Sequence, residues 1–143
     1  MAVRSLWWTA VLLLALTVSV CRGQQRYLIF LNRHVDFPWN PPLNYSQYCN
    51  FMMVNRSINA PGSCRPINTF VHAPAASLIA LCANQPNRSL PFSQQQFPVT
   101  VCRLIRRIPT CTYRGTPHNH RVQVGCWGGL PVHLQNTTTT LAS

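Results

Sequence analysis

The most informative stretch of the chain is Cys64-Arg65-Pro66-Ile67-Asn68-Thr69-Phe70-Val71-His72. Side chains alternate between the two faces of a strand, so the pattern predicts a strand with Asn68, Phe70 and His72 on one face. The strand begins at a cysteine and carries the fixed cation of Arg65 beside it. Such a strand end could hold a phosphate ester, although the pattern alone is a weak signal. Other features of the sequence are needed to decide whether this stretch is a functional site or only a structural strand.

The first 23 residues predict a secretory signal peptide. Arg4 precedes an apolar run from Leu6 to Val20, and small residues lead to a cut after Gly23. The run is too short and wrongly flanked for a stable membrane span, with an uncleaved anchor as the alternative. We therefore expect a secreted mature chain, residues 24–143, which is too short for two ordinary domains.

The cysteine count becomes even after this cut. Of the seven cysteines, Cys21 leaves with the signal peptide. In a secreted domain the remaining six predict three disulfides, although the pattern leaves their pairing open. A zinc site is the alternative, and it is disfavoured because no two cysteines have a C-x₂₋₄-C spacing. The six are Cys49, Cys64, Cys82, Cys102, Cys111 and Cys126.

The charge is strongly one-sided. The chain has twelve arginines, no lysine and one acid, Asp36, for a net charge of +11, which becomes +9 when Arg4 and Arg22 are removed. This charge predicts polyanionic partners, namely RNA, heparan-type glycans or anionic bacterial membranes. One acid cannot supply paired-carboxylate hydrolysis or a carboxylate metal site, so we expect no metal and no cofactor. We expect a monomer.

Four N-x-[ST] sequons fit a secretory route, although each is a weak signal of glycosylation and could stay unmodified. They begin at Asn44, Asn55, Asn87 and Asn136.

Hydrophobic periodicity predicts one α+β domain, with three short helices packed on a bent antiparallel sheet. The first helix starts near Gln25 and carries an i, i+3, i+4, i+7 stripe of Tyr27, Phe30, Leu31 and His34. The polar segment 135–143 is expected to be a flexible tail. The further predicted elements are helices at Tyr48–Arg56 and after Pro74, and strands at 97–104, 110–114, 122–126 and 130–134.

Once carboxylates and metals are excluded, histidine and arginine are the side chains that remain as candidates for catalysis. An RNA phosphodiester carries its own nucleophile, the 2′-hydroxyl. Cleavage then needs a base for that hydroxyl, an acid for the leaving 5′-oxygen and a cation for the phosphoryl charge. Two imidazoles and one fixed cation are therefore sufficient.

The sequence resembles the vertebrate secretory (pancreatic-type) ribonucleases, and among them the angiogenin-like and leukocyte-type members. The stretch Cys64–His72 is similar to the family's C-K-x-x-N-T-F-V-H signature. The helix-borne His34, the Leu130–Leu134 segment around His133 and the order of the six cysteines also match.

This resemblance implies His34 as general base, His133 as general acid and Arg65 in the place of the catalytic lysine. Substrate-binding positions would be Arg33, Asn68, Thr69 and Leu134. It also implies a structural role for His72, no catalytic role for His118 and His120, and an Ile108–Pro109 bond at a position that is often cis. The implied disulfides are Cys49–Cys102, Cys64–Cys111 and Cys82–Cys126.

Several departures from the family pattern weaken the expected catalysis. Arg65 replaces lysine, Arg33 stands where glutamine is common, and Gln135 stands where an aspartate commonly orients the acid histidine. Two functions therefore stay open. One is a pyrimidine-preferring endoribonuclease of reduced turnover. The other is a cationic host-defence or angiogenin-like effector, antimicrobial through polyanion and membrane binding, with a vestigial active site.

Overall fold

The structure, a computed structural model, describes residues 2–139, without the side chains of residues 2–5, 19 and 20. It confirms the α+β class, with three helices packed on a curled four-stranded antiparallel sheet and three disulfides. The helices are α1 (Ala2–His34), α2 (Tyr45–Asn55) and α3 (Ala75–Ile79), which continues as a 3₁₀ turn at Ala80–Cys82. The strands, in the order β1-β2-β3-β4, are β1 (Ile67–Val71), β2 (Phe97–Arg106), β3 (Thr112–Trp127) and β4 (Leu130–Thr138).

Helix α1 has the predicted buried stripe, with Phe30 and His34 buried and Tyr27 and Leu31 half-buried. It is longer than predicted because the helix extends back through the apolar N-terminal run. The apolar side chains that the structure describes in that run are exposed, for example Leu14 at 67%. The helix is long and apolar enough to cross a membrane, a property that signal sequences share. This exposure is consistent with a signal peptide, because these residues add little to the folded core.

Helix α2 begins three residues before its predicted start. The side chain of Asn44 accepts a hydrogen bond from the backbone N–H of Gln47 at 2.9 Å, which caps the first turn. Met52 and Met53 are buried, as expected for residues that fill the core.

Strand β1 separates two hydrophobic cores. Phe70 and Val71 are neighbours in sequence and lie on opposite faces, yet both are fully buried. Val71 packs with Phe30 and Leu78, whereas Phe70 packs with the α2 methionines and Tyr113. The predicted alternation is correct, and both faces of the strand are covered.

The two strands predicted at 110–114 and 122–126 are wrong as separate elements, because β3 is continuous. Its first half pairs with β2 and its second half, from Arg121, pairs with β4. At Gly115, α2 lies against the strand, and a Cβ would overlap the backbone carbonyl of Tyr45. The glycine thus permits a close helix–strand contact.

Strand β4 also extends further than predicted. Gly128 and Gly129 form the turn before it, with φ values of 59° and 77°. Residues 135–138, expected to be part of the flexible tail, are in β4; residues 136–138 pair with β3, as in Gln123–Asn136, and Gln135 lies at an irregularity of the pairing. Residues 140–143 of that tail lie outside the described residues.

The three disulfides have the pairing implied by the resemblance. Cys49–Cys102 joins α2 to β2, Cys64–Cys111 joins the segments before β1 and β3, and Cys82–Cys126 joins the 3₁₀ turn to β3. Cys21 is free and exposed. The Ile108–Pro109 bond is cis, and so is Phe37–Pro38.

Candidate active site

A cavity of about 380 Å³, here called the central cavity, is lined by residues of α1 and all four strands. It brings together five of the residues singled out in the sequence: His34, Arg65, Asn68, Thr69 and Leu134. Its other lining residues are Ile67, Val101, Arg103, His118, His120, Gln135, Asn136 and Thr137.

The end of α1 is joined to β1 by hydrogen bonds that position His34. Asn68 Nδ2 donates to the Arg33 carbonyl at 2.9 Å, and the Asp36 N–H donates to the Val71 carbonyl at 3.1 Å. Between them, His34 Nδ1 lies 2.9 Å from the Thr69 carbonyl oxygen. A carbonyl can only accept, so Nδ1 carries the hydrogen and Nε2 is the basic nitrogen.

Burial and charge keep the His34 imidazole neutral. The side chain is 7% exposed, and burial is the largest cause that lowers its pKa from 6.5 to about 4. The charges of Arg65, Arg33 and His133 lower the pKa further, whereas the hydrogen bond to the Thr69 carbonyl opposes them. His34 is thus ready to accept a proton throughout the neutral range.

The backbone of Arg65 is held on both sides. Its N–H donates to Asn59 Oδ1 at 2.8 Å, and its carbonyl accepts from the Tyr113 hydroxyl at 2.8 Å. Its Nε also donates to the Ile67 carbonyl at 3.1 Å. Burial, followed by the charge of Arg33, lowers the pKa of Arg65, but a guanidinium stays protonated in proteins. A fixed cation therefore lies beside a neutral imidazole.

The single carboxylate has a structural position. Asp36 Oδ2 accepts from the Tyr48 hydroxyl at 2.5 Å, and Oδ1 lies 3.7 Å from the Arg56 guanidinium. Burial, and then the hydrogen bond to Asp36, raises the pKa of Tyr48. As the sequence predicts, no carboxylate of the described residues orients His133.

His133 lines a neighbouring cavity of about 360 Å³ instead of the central one. There its Nε2 lies 3.4 Å from an Arg26 guanidinium nitrogen, which can only donate, so Nε2 is the acceptor. The Arg26 and Arg88 guanidinium carbons lie 5.4 Å and 6.0 Å from the Trp127 ring centroid. A protonated His133 is still close enough to lower the pKa of His34.

Arg33 does not line the central cavity. Its side chain is exposed and lines a shallow cavity beside α1 with Asn32 and Ser57. It acts on the central cavity through its charge, which lowers the pKa values of His34 and Arg65.

His72 is structural, as the resemblance implied. Its Nδ1 lies 3.0 Å from the Asp36 carbonyl oxygen and its Nε2 lies 2.8 Å from Thr100 Oγ1. The buried ring stacks on Trp39, with centroids 3.8 Å apart. Burial lowers the pKa of His72, so the ring is held neutral within the fold.

His118 and His120, for which no catalytic role is expected, both line the central cavity. Their rings are stacked, with centroids 4.6 Å apart and an interplanar angle of 14°. A signal was present in the sequence, since residues two apart on a strand share a face. It was missed because the pair matches no catalytic motif of the resembled family.

The sequons differ in their surroundings. Asn44 Oδ1 accepts from Gln47 N–H and Asn87 Oδ1 accepts from Gly128 N–H, whereas Asn136 lines the central cavity. A glycan at Asn136 would therefore compete with any ligand of that cavity.

Comparisons with known proteins agree with the fold. Residues 25–135 match the family described as pancreatic ribonuclease. An angiogenin from Gallus gallus is 61% identical over 137 residues, covering 96% of this chain and 99% of that protein. A ribonuclease homolog from the same organism is 52% identical, with the same coverage. The crystal structure of green turtle egg white ribonuclease is 38% identical with a TM-score of 0.70, covering 78% of this chain and 98% of that chain.

Proposed function

Because this chain belongs to the pancreatic ribonuclease family, we propose that it is a secreted, metal-independent endoribonuclease of reduced turnover. It cleaves RNA on the 3′ side of pyrimidines by 2′-O transphosphorylation. The observation that carries this proposal is the central cavity, in which a buried neutral His34 lies with the Arg65 cation and the Thr69 hydroxyl.

The proposed reaction is one displacement at phosphorus. His34 Nε2 takes the proton of the 2′-hydroxyl, and the 2′-oxygen attacks the adjacent phosphorus. The bond from phosphorus to the 5′-oxygen breaks, and His133 gives this oxygen its proton. The products are a 2′,3′-cyclic phosphate and a free 5′-hydroxyl. General acid–base transfer supplies roughly 10²–10⁴-fold, and the positioned Arg65 charge supplies roughly 10²–10³-fold by stabilising the phosphoryl oxygens.

His133 has to change its contacts before it can act as the acid. Its Nε2 accepts a hydrogen bond from Arg26, and a nitrogen that accepts has no proton to give. Protonation at Nε2 breaks that contact, because two donors cannot share one hydrogen bond. A rotation about the side-chain torsions would then turn the ring from the Arg26–Trp127 cavity toward the central cavity.

Three substitutions favour a reduced turnover. The Arg65 guanidinium spreads its charge over a plane, whereas the family lysine presents a compact ammonium to one oxygen. Gln135 cannot orient His133 as a carboxylate would, because a neutral amide stabilises an imidazolium less. Arg33 adds a charge that lowers the pKa of His34, which makes the imidazole a weaker base.

Cleavage of a short pyrimidine–purine RNA by the mature chain tests the proposal. We expect His34→Ala and His133→Ala each to lower kcat/KM by roughly 10²–10⁴-fold, and Arg65→Lys to raise kcat. Arg106→Lys is the matched control, since it makes the same exchange at an exposed hairpin residue. If either alanine variant equals the wild type and Arg65→Lys brings no gain, the enzyme proposal fails.

A second function is favoured by the hairpin between β2 and β3. Its exposed arginines, Arg106 and Arg107, lie beside Ile105 and Ile108, which are 56% and 80% exposed. Guanidinium groups around apolar side chains suit an anionic membrane surface, which would make the chain a cationic effector. Killing of bacteria by a His133→Ala variant at the wild-type level would support this function. Loss of killing in that variant would tie it to RNA cleavage.

A further inference from the structure

We propose that His118 and His120 form an aromatic wall of the central cavity that contacts the nucleobase of a bound pyrimidine nucleotide. The pair would then help to determine which base is accepted. This inference rests on the proposed ribonuclease function and adds a specificity-determining surface to it.

The first argument is the composition of the central cavity. Among its described lining residues, the aromatic rings are those of His34, His118 and His120. His34 is buried at the end of α1 and is held by the Thr69 carbonyl, which leaves the stacked pair on β3 as the accessible aromatic surface. Nucleobases released from a helix stack readily on aromatic side chains, including histidine. Leu134 supplies apolar contact but no ring.

The second argument is how the pair is held. His120 Nδ1 lies 3.2 Å from Thr137 Oγ1 on β4, which fixes this ring from the neighbouring strand. His118 is exposed and stacks on it, nearly parallel. A surface that is already ordered loses little side-chain entropy when a ligand binds.

The third argument is charge. The cations facing the cavity are Arg65, before β1, and Arg103, on β2, and the β4 residues that line it are uncharged. Burial, and then the charge of His118, lowers the pKa of His120. A neutral His120 ring suits a base better than a phosphate, and Arg65 is the group suited to the phosphate.

Calorimetric binding of cytidine 3′-monophosphate and of inorganic phosphate at neutral pH separates these contacts. We expect His118→Ala/His120→Ala to weaken nucleotide binding by about tenfold or more, with phosphate binding unchanged. Asn119→Ala is the matched control, because Asn119 lies between the pair and outside the cavity lining. His118→Phe should keep the wild-type nucleotide affinity, since a ring remains.

Three outcomes would overturn the proposal. If the double variant binds the nucleotide with unchanged affinity, the two histidines do not contact the base. If it loses affinity equally for the nucleotide and for phosphate, the pair contacts the phosphate instead. If the double variant does not fold, the exposed single variant His118→Ala is used, and the proposal fails if this variant does not weaken nucleotide binding more than phosphate binding. A wild-type protein that neither binds the nucleotide nor cleaves RNA refutes the proposed function itself, whereas a binding wild type with an unaffected variant refutes the wall alone.

Discussion

The low pKa of His34 predicts that cleavage persists in acid. A general base works only when it is unprotonated, so the acid side of the kcat/KM profile follows the free-enzyme pKa of that base. Burial, assisted by neighbouring cations, lowers the pKa of His34 from 6.5 to about 4. The fall in kcat/KM on acidification should therefore be centred near pH 4.

The size of the effect is large at pH 5. With a pKa of about 4, about nine-tenths of His34 is neutral at this pH, whereas an ordinary histidine would be only about 3% neutral. We therefore expect kcat/KM at pH 5 to keep most of its pH 7 value. An unperturbed base would leave only about 4% of it.

The Arg33→Gln variant tests the physical cause. Removing this cation should raise the pKa of His34 and move the acid side of the profile to higher pH, by less than burial does, because burial is the largest cause. Arg106→Gln removes an equal charge from the exposed hairpin and should leave the profile in place. Steady-state rates between pH 3.5 and 8, together with an NMR titration of the His34 ring, measure both quantities.

The free energy of unfolding should also depend on pH through the titration of His34. Between pH 6.5 and 4 the unfolded chain binds more protons at His34 than the folded chain, so the free energy of unfolding falls as the pH falls. The two pKa values correspond to about 3 kcal/mol, present above pH 6.5 and lost by about pH 4. The lowered pKa of His72 acts in the same direction.

The reasoning is refuted by an NMR pKa of 6 or higher for His34 in the folded protein. It is also refuted if Arg33→Gln and Arg106→Gln move the profile equally. In that case burial and proximity would not be the cause.

Two further changes test the scaffold. Gly115→Ala should lower the free energy of unfolding by about 1–3 kcal/mol, because its Cβ overlaps the Tyr45 carbonyl; urea unfolding measures it, and an unchanged midpoint would contradict the close contact. Asp36→Asn should cost about 1–3 kcal/mol by removing the charge that Tyr48 and Arg56 share, while kcat/KM stays near wild type; a loss of activity at full stability would instead connect Asp36 to the cavity.

Much of the fold can be predicted from the local pattern of apolar and polar residues. The stripe on α1 and the alternation along β1 predict which side chains are buried, because each follows from the geometry of a single element. The sequence does not show that both faces of β1 are covered. Phe70 and Val71 are equally buried because two different cores meet at that strand.

The errors have tertiary causes. The two strands predicted in place of β3 are one because the strand pairs first with β2 and then with β4, and the segment after residue 134 resembles a tail until β3 pairs with it. In the site, the residues given by the signature stretch lie together in the central cavity. The contact of His133 with Arg26 joins residues 107 positions apart, and no local pattern predicts it.

The three disulfides lie within the central part of the chain and leave both terminal segments without a crosslink. The first bridged cysteine, Cys49, follows His34, and the last, Cys126, precedes His133. Both proposed proton-transfer groups therefore lie on terminal segments that no covalent link spans and that only packing and hydrogen bonds retain. Opening of these ends requires less than the global free energy of unfolding, as hydrogen exchange commonly detects for chain termini. A preparation of this protein could thus lose its catalysis while its crosslinked centre still resists proteases, so melting temperature and working lifetime are separate properties of this chain.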